Sequence, residues 1–498
     1  MTVSTAVPAS AVASVVGIKT EFKDLRTGVV LLPQRVMVVG QGSSSAVYAT
    51  DKRQVFTAAE AGSLYGFGSP IHLAALQLLP ANGDGVGSIP VTIYPLEDAG
   101  GSAAASGDIT PAGSQTTQAA YTVRVNNIDS QPFLIPVGAS VASIVTAMTE
   151  AINAEVSMPV IASDDTTEVG LTSKWQGASA NDIEVEIVGD QSLGTTFAVT
   201  QPTGGATNPD VQTALDQIGD VWETLVVNCL NGADTNALDA FDTFNEGRWG
   251  PLTKKPIQGV FHGDTGTDVT TVGTVPDARK QDRTNVRVNV TGGKDLPVTI
   301  AAATVARVAV RADSNPAYAY GSLDLPGLTP GLDADQWNYA ERDTATKLGV
   351  ATTRVKDGVV NISDIVTFYH PTGEEPPAHR YVVSNVKLAN IIFNLDLIFN
   401  SPEWDSAPLI PDDQPTTNRA AKKPFMAKAA IASMLDSLGL EAIISDPETA
   451  KTRTVAVINS QNPNRLDIEI TVQLSGNAKI ISIDLLFGFF FGTQPIVA

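Results

Sequence analysis

Val29-Val-Leu-Leu-Pro-Gln-Arg-Val-Met-Val-Val39 runs directly into Gly40-Gln-Gly42-Ser43. An apolar run of this length, closed by glycine, reads as a strand buried on both faces. Outward from it, Pro70-Ile-His-Leu-Ala-Ala-Leu-Gln-Leu-Leu79 has proline at its start and reads as a helix. Ile89-Pro-Val-Thr-Ile-Tyr94 reads as the next strand. Strand, helix, strand is an α/β pattern. The G-x-G after the first strand lacks the third glycine of a dinucleotide fingerprint, because Ser45 stands three positions after Gly42.

The composition then changes. Residues 99–120 are Ala, Gly, Ser, Thr and Gln, which predicts a linker or turn-rich edge. Short strands follow at 121–125, 133–135, 159–162, 168–172, 183–188 and 196–199, interrupted by a helix over 140–154. Ile183, Val185 and Ile187 alternate with Glu184, Glu186 and Val188, as in a half-buried strand. Residues 101–205 are thus expected to be a mostly-β domain inserted into an α/β domain made from 21–100 and 206–320. The α/β pattern resumes with a helix at 209–221, a strand at 224–229, a helix at 235–245, a strand at 256–261 and an apolar helix at 299–311.

A Pro- and Gly-rich crossover at 313–337 leads to a second α/β unit over 321–479. It contains an apolar helix at 380–400 and an amphipathic one at 425–438 that Gly439 should stop. A strand is expected at 465–474. The fold class is α/β multidomain: two α/β core units, an inserted mostly-β domain, and extended terminal arms at 1–20 and 480–498. Residues 1–20 carry one charge and no helical period, so they are either a disordered tail or a strand awaiting another sheet. The last strand, 480–491, is apolar on both faces and wants cover on both.

Composition narrows the function. Of 498 residues, 43% are hydrophobic and 17% charged, which is a folded chain and not a disordered one. The net charge of −21 disfavours nucleic acid as a partner. Residues 101–210 hold only Arg124 and Lys174 against twelve acids, which suits a solvated outer face. The single cysteine, Cys229, excludes an internal disulfide and reads as a core residue. Residues 1–18 have no secretory pattern, and no window reaches about 18 uncharged apolar residues, so a cytoplasmically made, soluble protein without membrane insertion is expected.

Enzyme is the competing class. His370 and His379 flank Glu374 and Glu375, but Pro371, Gly373, Pro376 and Pro377 make the segment a turn, not the helical face of an H-E-x-x-H metal site. Neither a G-x-S-x-G elbow nor a P-loop occurs. No catalytic, metal or cofactor residues are assigned.

Leu171-Thr-Ser-Lys-Trp-Gln-Gly177 with Ala180-Asn-Asp-Ile183 and Gly204-Gly-Ala-Thr-Asn-Pro-Asp210 with Ala214-Leu-Asp-Gln-Ile218 come first along the chain. Arg248-Trp-Gly-Pro251, Leu323-Asp-Leu-Pro-Gly-Leu328, Glu341-Arg-Asp343, Leu348-Gly-Val350 and Asn462-Pro-Asn-Arg-Leu-Asp467 follow. In order and spacing these segments resemble the tail-sheath proteins of contractile phages, of the Mu-like type. Ala180 departs from them, standing where a second glycine is usual.

The resemblance implies a helical stack of hexameric rings around a tail tube, made in the host cytoplasm as part of the virion tail. Tail tube, baseplate and tail terminator proteins are the implied partners, and contraction drives the tube into the host. Pyocin-like and type VI machines share this mechanism. The resemblance also implies arms that add strands to neighbouring subunits. The arm residues are Val3, Val7, Val12, Val15, Val16 and Ile18 at one end, and Ile481, Ile483, Leu485 and Phe487 at the other. The C-terminal unit would face the tube, and the basic cluster Arg419, Lys422, Lys423 and Lys428 would meet an acidic tube surface or form a solvated face.

Overall fold

A computed structural model describes residues 30–487; the expected N-terminal arm and residues 488–498 lie outside it. The strand Val36–Gln41 is buried at every position. Val36 and Val38 enter the core on one face, Met37 and Val39 on the other. Both faces are covered, as such a strand requires. Helices Ala58–Tyr65, Pro70–Leu78 and Pro297–Ser314 cover the first. Helix Thr235–Arg248 and the short helix Gln212–Leu215 cover the second.

This strand belongs to an eight-stranded sheet. The order is Val359–Asp364, Val350–Lys356, Asn285–Asn289, Gly259–Asp264, Leu225–Asn228, Val36–Gln41, Val91–Leu96 and Arg53–Val55. Inner neighbours are parallel, and the outermost strand at each edge is antiparallel. The order of winding reverses between Val36–Gln41 and Leu225–Asn228, which makes that gap a topological switch point.

The expected second unit loses its first strands to this sheet. Val350–Lys356 and Val359–Asp364 pair onto Asn285–Asn289 and are not part of a separate sheet. Strand pairing is decided by tertiary partners, which a local pattern does not carry. The separate C-terminal core is smaller: Ile391, Ile431, Leu435, Leu438, Ile443 and Ile444 gather around helix Pro424–Leu440 and the far half of helix Val382–Phe399. Gly439 does not stop its helix; the chain turns at Ala442, at φ 53°. A Cβ on Gly439 would lie 3.0 Å from the Pro447 ring, so the glycine serves a close approach to helix Pro447–Arg453.

Between Val91–Leu96 and Leu225–Asn228 the chain builds two antiparallel four-stranded sheets and the helix Val141–Ala154, capped by Ser140. Here the linker expected at 99–120 is instead a ten-residue strand, Ala104–Gly113, pinned between Val169–Gln176 and Thr195–Thr203. Its small residues are poor strand formers alone, and two flanking partners override that preference. The helix expected at 209–221 survives only as Gln212–Leu215, and Gly219 at φ 58° turns the chain away.

The strand expected at 465–474 is split. Leu466–Glu469 pairs with Val455–Ile458 in a two-stranded ribbon, and Gln473–Leu474 pairs with Ile444–Ser445. Residues 480–487 form no strand. The outer edge of the large sheet is closed: Ser322 and Leu325 N–H groups donate to Ile362 and Val360 carbonyls, and Ile362 N–H donates to Leu323, each at 2.8 Å.

Candidate assembly surfaces

The switch point is where an open α/β sheet usually holds a ligand. In this chain it is filled. A Cβ on Gly40 would stand 2.6 Å from Cys229 Cβ, and one on Gly42 would stand 2.4 Å from the Tyr48 ring. The two glycines admit neighbouring side chains, not a pyrophosphate. Gln41 is buried and donates through Nε2 to Asp98 and to the Gln176 carbonyl of the inserted sheets. Burial holds the Cys229 thiol far above its ordinary pKa, which leaves it unreactive.

A polar crevice remains beside this contact, lined by Asn181, Asp182, Asn231, Asp264, Arg287 and Asp295. Arg287 Nε lies 2.9 Å from Asp264 Oδ2. Asn231 Nδ2 donates to Asp182 Oδ2 at 2.9 Å, tying the insert to the large sheet. Burial raises the Asp182 pKa to about 7 and that of Asp295 to about 6. Both sit above the ordinary 3.8, so the stability these carboxyls allow is complete in acid and is lost as pH rises through those values. The contribution of these two carboxyls should therefore fall between about pH 4 and about pH 8, opposed by buried His72 and His262, whose pKa burial lowers to about 4. Asp182→Asn should raise the melting temperature at about pH 8 and leave it nearly unchanged at about pH 4, which differential scanning fluorimetry would read.

The histidines are spent on structure. Buried His262 bridges Asn228 at 3.0 Å and Asn285 at 2.9 Å across three strands. His72 Nδ1 accepts from Gly68 N–H. His370 lies against Asp277 at 3.1 Å, whereas His379 bonds Asn385 and stacks edge-on to Trp249 and Tyr369. Glu374 accepts from Tyr369 and Ala378, so the four groups of the His–Glu–Glu–His segment do not converge.

The basic cluster divides. Lys422 pairs with Glu403 at 3.1 Å and lies over the Trp404 ring. Lys423 donates to the carbonyls of Asp412 and Gln414. Arg419 and Lys428 are exposed. The loop over 400–421 brings in Glu403 and the two carbonyls, and the linear cluster gave no sign of it.

At the C-terminal end the change is abrupt. Lys479 pairs with Asp364 at 2.7 Å and sits 3.5 Å from the Tyr381 ring centroid. Immediately after it, Ile480, Ile481, Ile483, Leu485, Leu486 and Phe487 are 75–93% exposed. The remaining ribbon, Val455–Ile458 with Leu466–Glu469, pairs only with itself among the described residues and exposes Val455 and Val457. Lys387, Asn390 and Asn394 interrupt an apolar helix at intervals of three and four, a polar stripe legible in the sequence, and all three are buried.

Over 364 residues the chain is 24% identical to the Mu-like prophage FluMu tail sheath protein of Haemophilus influenzae, covering 70% of this chain and 71% of that protein. The chain is a homologue of a tail sheath protein. No family model matches this sheath homologue. Its fold is similar to that of the PVC sheath complex, an extracellular contractile injection system in its contracted state. That likeness has a TM-score of 0.50 at 10% identity, over 96% of this chain and 99% of the other. The sheath tail protein of Desulfitobacterium hafniense gives a TM-score of 0.48 at 12% identity, over 93% and 97%.

Proposed function

We propose that the chain is the structural subunit of a contractile tail sheath, with no enzymatic role. It polymerises as stacked hexameric rings around a tail tube, in the virion tail, after assembly in the host cytoplasm. Contraction of the stack drives the tube into the host, with baseplate and terminator proteins at its ends. The observation that carries the reading is the C-terminal stretch 480–487. It is a row of large apolar side chains in water, on a chain related in sequence to a sheath protein.

Such a stretch is stable only against another surface. An extended segment gains most by adding to an open sheet edge, where main-chain hydrogen bonds and side-chain burial come together. The Val455–Ile458 ribbon of a second copy offers that edge, and Val455 and Val457 supply the apolar face. Residues 1–20 serve as the opposite arm. The inserted sheets, with their acidic excess, form the outer wall, and the C-terminal unit faces the tube. Of the four basic residues, the exposed Arg419 and Lys428 are the pair free to meet an acidic tube. A pyocin-like or type VI-like machine would use the same subunit in the same way.

Negative-stain imaging of the purified chain tests the reading. Hollow tubes or stacked rings are expected; monodisperse particles at every salt and concentration would overturn it. With tube protein added, reversing Arg419 and Lys428 to glutamate should cut co-sedimentation about tenfold. Unchanged co-sedimentation would remove these two residues from the contact.

A further inference from the structure

Helix Val382–Phe399 is apolar enough by composition to span a membrane, yet half of it is buried in the protein. Besides Asn385, three polar side chains are buried within it, Lys387, Asn390 and Asn394. Spaced three and four apart, they share one face. Buried polar groups need partners, and the partners here are the two ends of the described chain. Asn390 Oδ1 accepts the Leu32 N–H at 2.8 Å, and Asn394 Nδ2 donates to the Val30 carbonyl at 3.0 Å. Lys387 Nζ donates to the Ser475 carbonyl at 2.7 Å and to Asn477 Oδ1 at 3.1 Å. Asn477 Nδ2 in turn donates to the Ala317 carbonyl.

Chain segments more than 440 positions apart thus meet on one helix, about 5–10 Å apart along its axis at ~1.5 Å per residue. A buried lysine without a carboxylate partner is costly, and burial lowers its pKa to about 8. A methionine would fill the space at lower cost, so the ammonium is kept for what it holds. The helix is itself fixed: Trp222 packs on Phe393, Lys254 pairs with Asp396, and Asn385 donates to the Gln258 and Arg283 carbonyls.

We infer that the Lys387–Asn390–Asn394 face is a splice. It seats segments 30–32 and 475–477 of one subunit on a single rigid element, so other copies of this chain, gripped through the residues beyond them, pull on that helix. The inference rests on the sheath reading for what grips the ends, and on the contacts above for the seat. A polymer whose subunits reorient needs connections that do not depend on surface contacts. Two tethers rooted on one helix keep a fixed separation however the subunit turns.

The test uses the full chain with Lys387→Met, and with Asn477→Leu as a milder partner-side variant. Hydrogen exchange on the unpolymerised chain reads the seat. Amides of 475–479 should exchange about tenfold faster in both variants, while those of Val455–Ile458 stay unchanged. Light scattering after dilution reads the polymer, which should shed subunits about tenfold faster. Exchange unchanged in both variants overturns the seat. Loosened ends with an unchanged polymer lifetime overturn the splice alone. A wild-type chain that never polymerises overturns the sheath reading and the splice with it.

Discussion

A chain ending at Lys479 is expected to melt within about 2 °C of the full-length protein and to form no tubes. The residues removed that the structure describes, 480–487, bury almost nothing in their own subunit, so their loss leaves the fold's cores intact. In a polymer the same residues have much to gain. Each large apolar side chain taken out of water contributes roughly 1.5–3 kcal/mol. Ordering each residue of backbone costs roughly 1–2 kcal/mol. These terms nearly cancel, so pairing depends on the main-chain hydrogen bonds and on every large side chain together. Partial loss should therefore behave like full loss: Ile481→Ser with Ile483→Ser is also expected to abolish tubes. Scanning fluorimetry and negative-stain imaging read the two halves of this result. Tubes of normal length from the truncated chain would remove the C-terminal arm from assembly.

The second large effect is on stability. Arg248→Met is expected to lower the free energy of unfolding by about 3–5 kcal/mol. Arg248 is buried, and its guanidinium meets no carboxylate among the described residues. It donates to three carbonyls instead: Lys255 at 3.0 Å through Nε, Gly219 at 2.9 Å through Nη1, and Val221 through Nη2. Those carbonyls belong to the two segments that lead into strands Leu225–Asn228 and Gly259–Asp264. Without the fork, the exposed Gly219 carbonyl and the half-buried Val221 and Lys255 carbonyls each lose a hydrogen bond to a charged donor, at roughly 1–1.5 kcal/mol apiece. Arg248→Lys should recover only a part, because a single ammonium does not reproduce the planar fork. Urea denaturation would decide it; a loss under about 1 kcal/mol for the methionine variant would refute this account. The Arg-Trp-Gly-Pro segment that helped place the chain beside sheath proteins is, in this fold, a structural staple.

What the sequence disclosed follows from where the information sits. Val36–Val39 was readable because burial on both faces writes itself as an unbroken local run. The helix at Val382–Phe399 was readable for the same reason. Which sheet Val350–Lys356 joins was not, since its partner Asn285–Asn289 lies 60 and more positions away. Ala104–Gly113 was hidden by its composition: Gly107 is needed because the Thr200 carbonyl would stand 2.3 Å from a Cβ there. For the surfaces, the apolar tail at 480–487 was visible as a pattern, but its exposure among the described residues was not. The basic cluster looked uniform until Lys422 and Lys423 found their partners in a loop whose path the sequence does not encode locally.

The closed edge formed by Ser322–Leu325 against Val359–Asp364 has a bearing on fidelity. A greasy tail in a crowded cell will stick to whatever strand edge accepts it. The largest sheet in the molecule refuses, because one side is stitched shut and the other ends in three residues, two of them the exposed Arg53 and Gln54. The ribbon at Val455–Ile458 of a second copy is the edge proposed for it. In the proposed assembly, a tail refused by the large sheet has fewer wrong edges to join, which makes branching or stalling of the filament rarer.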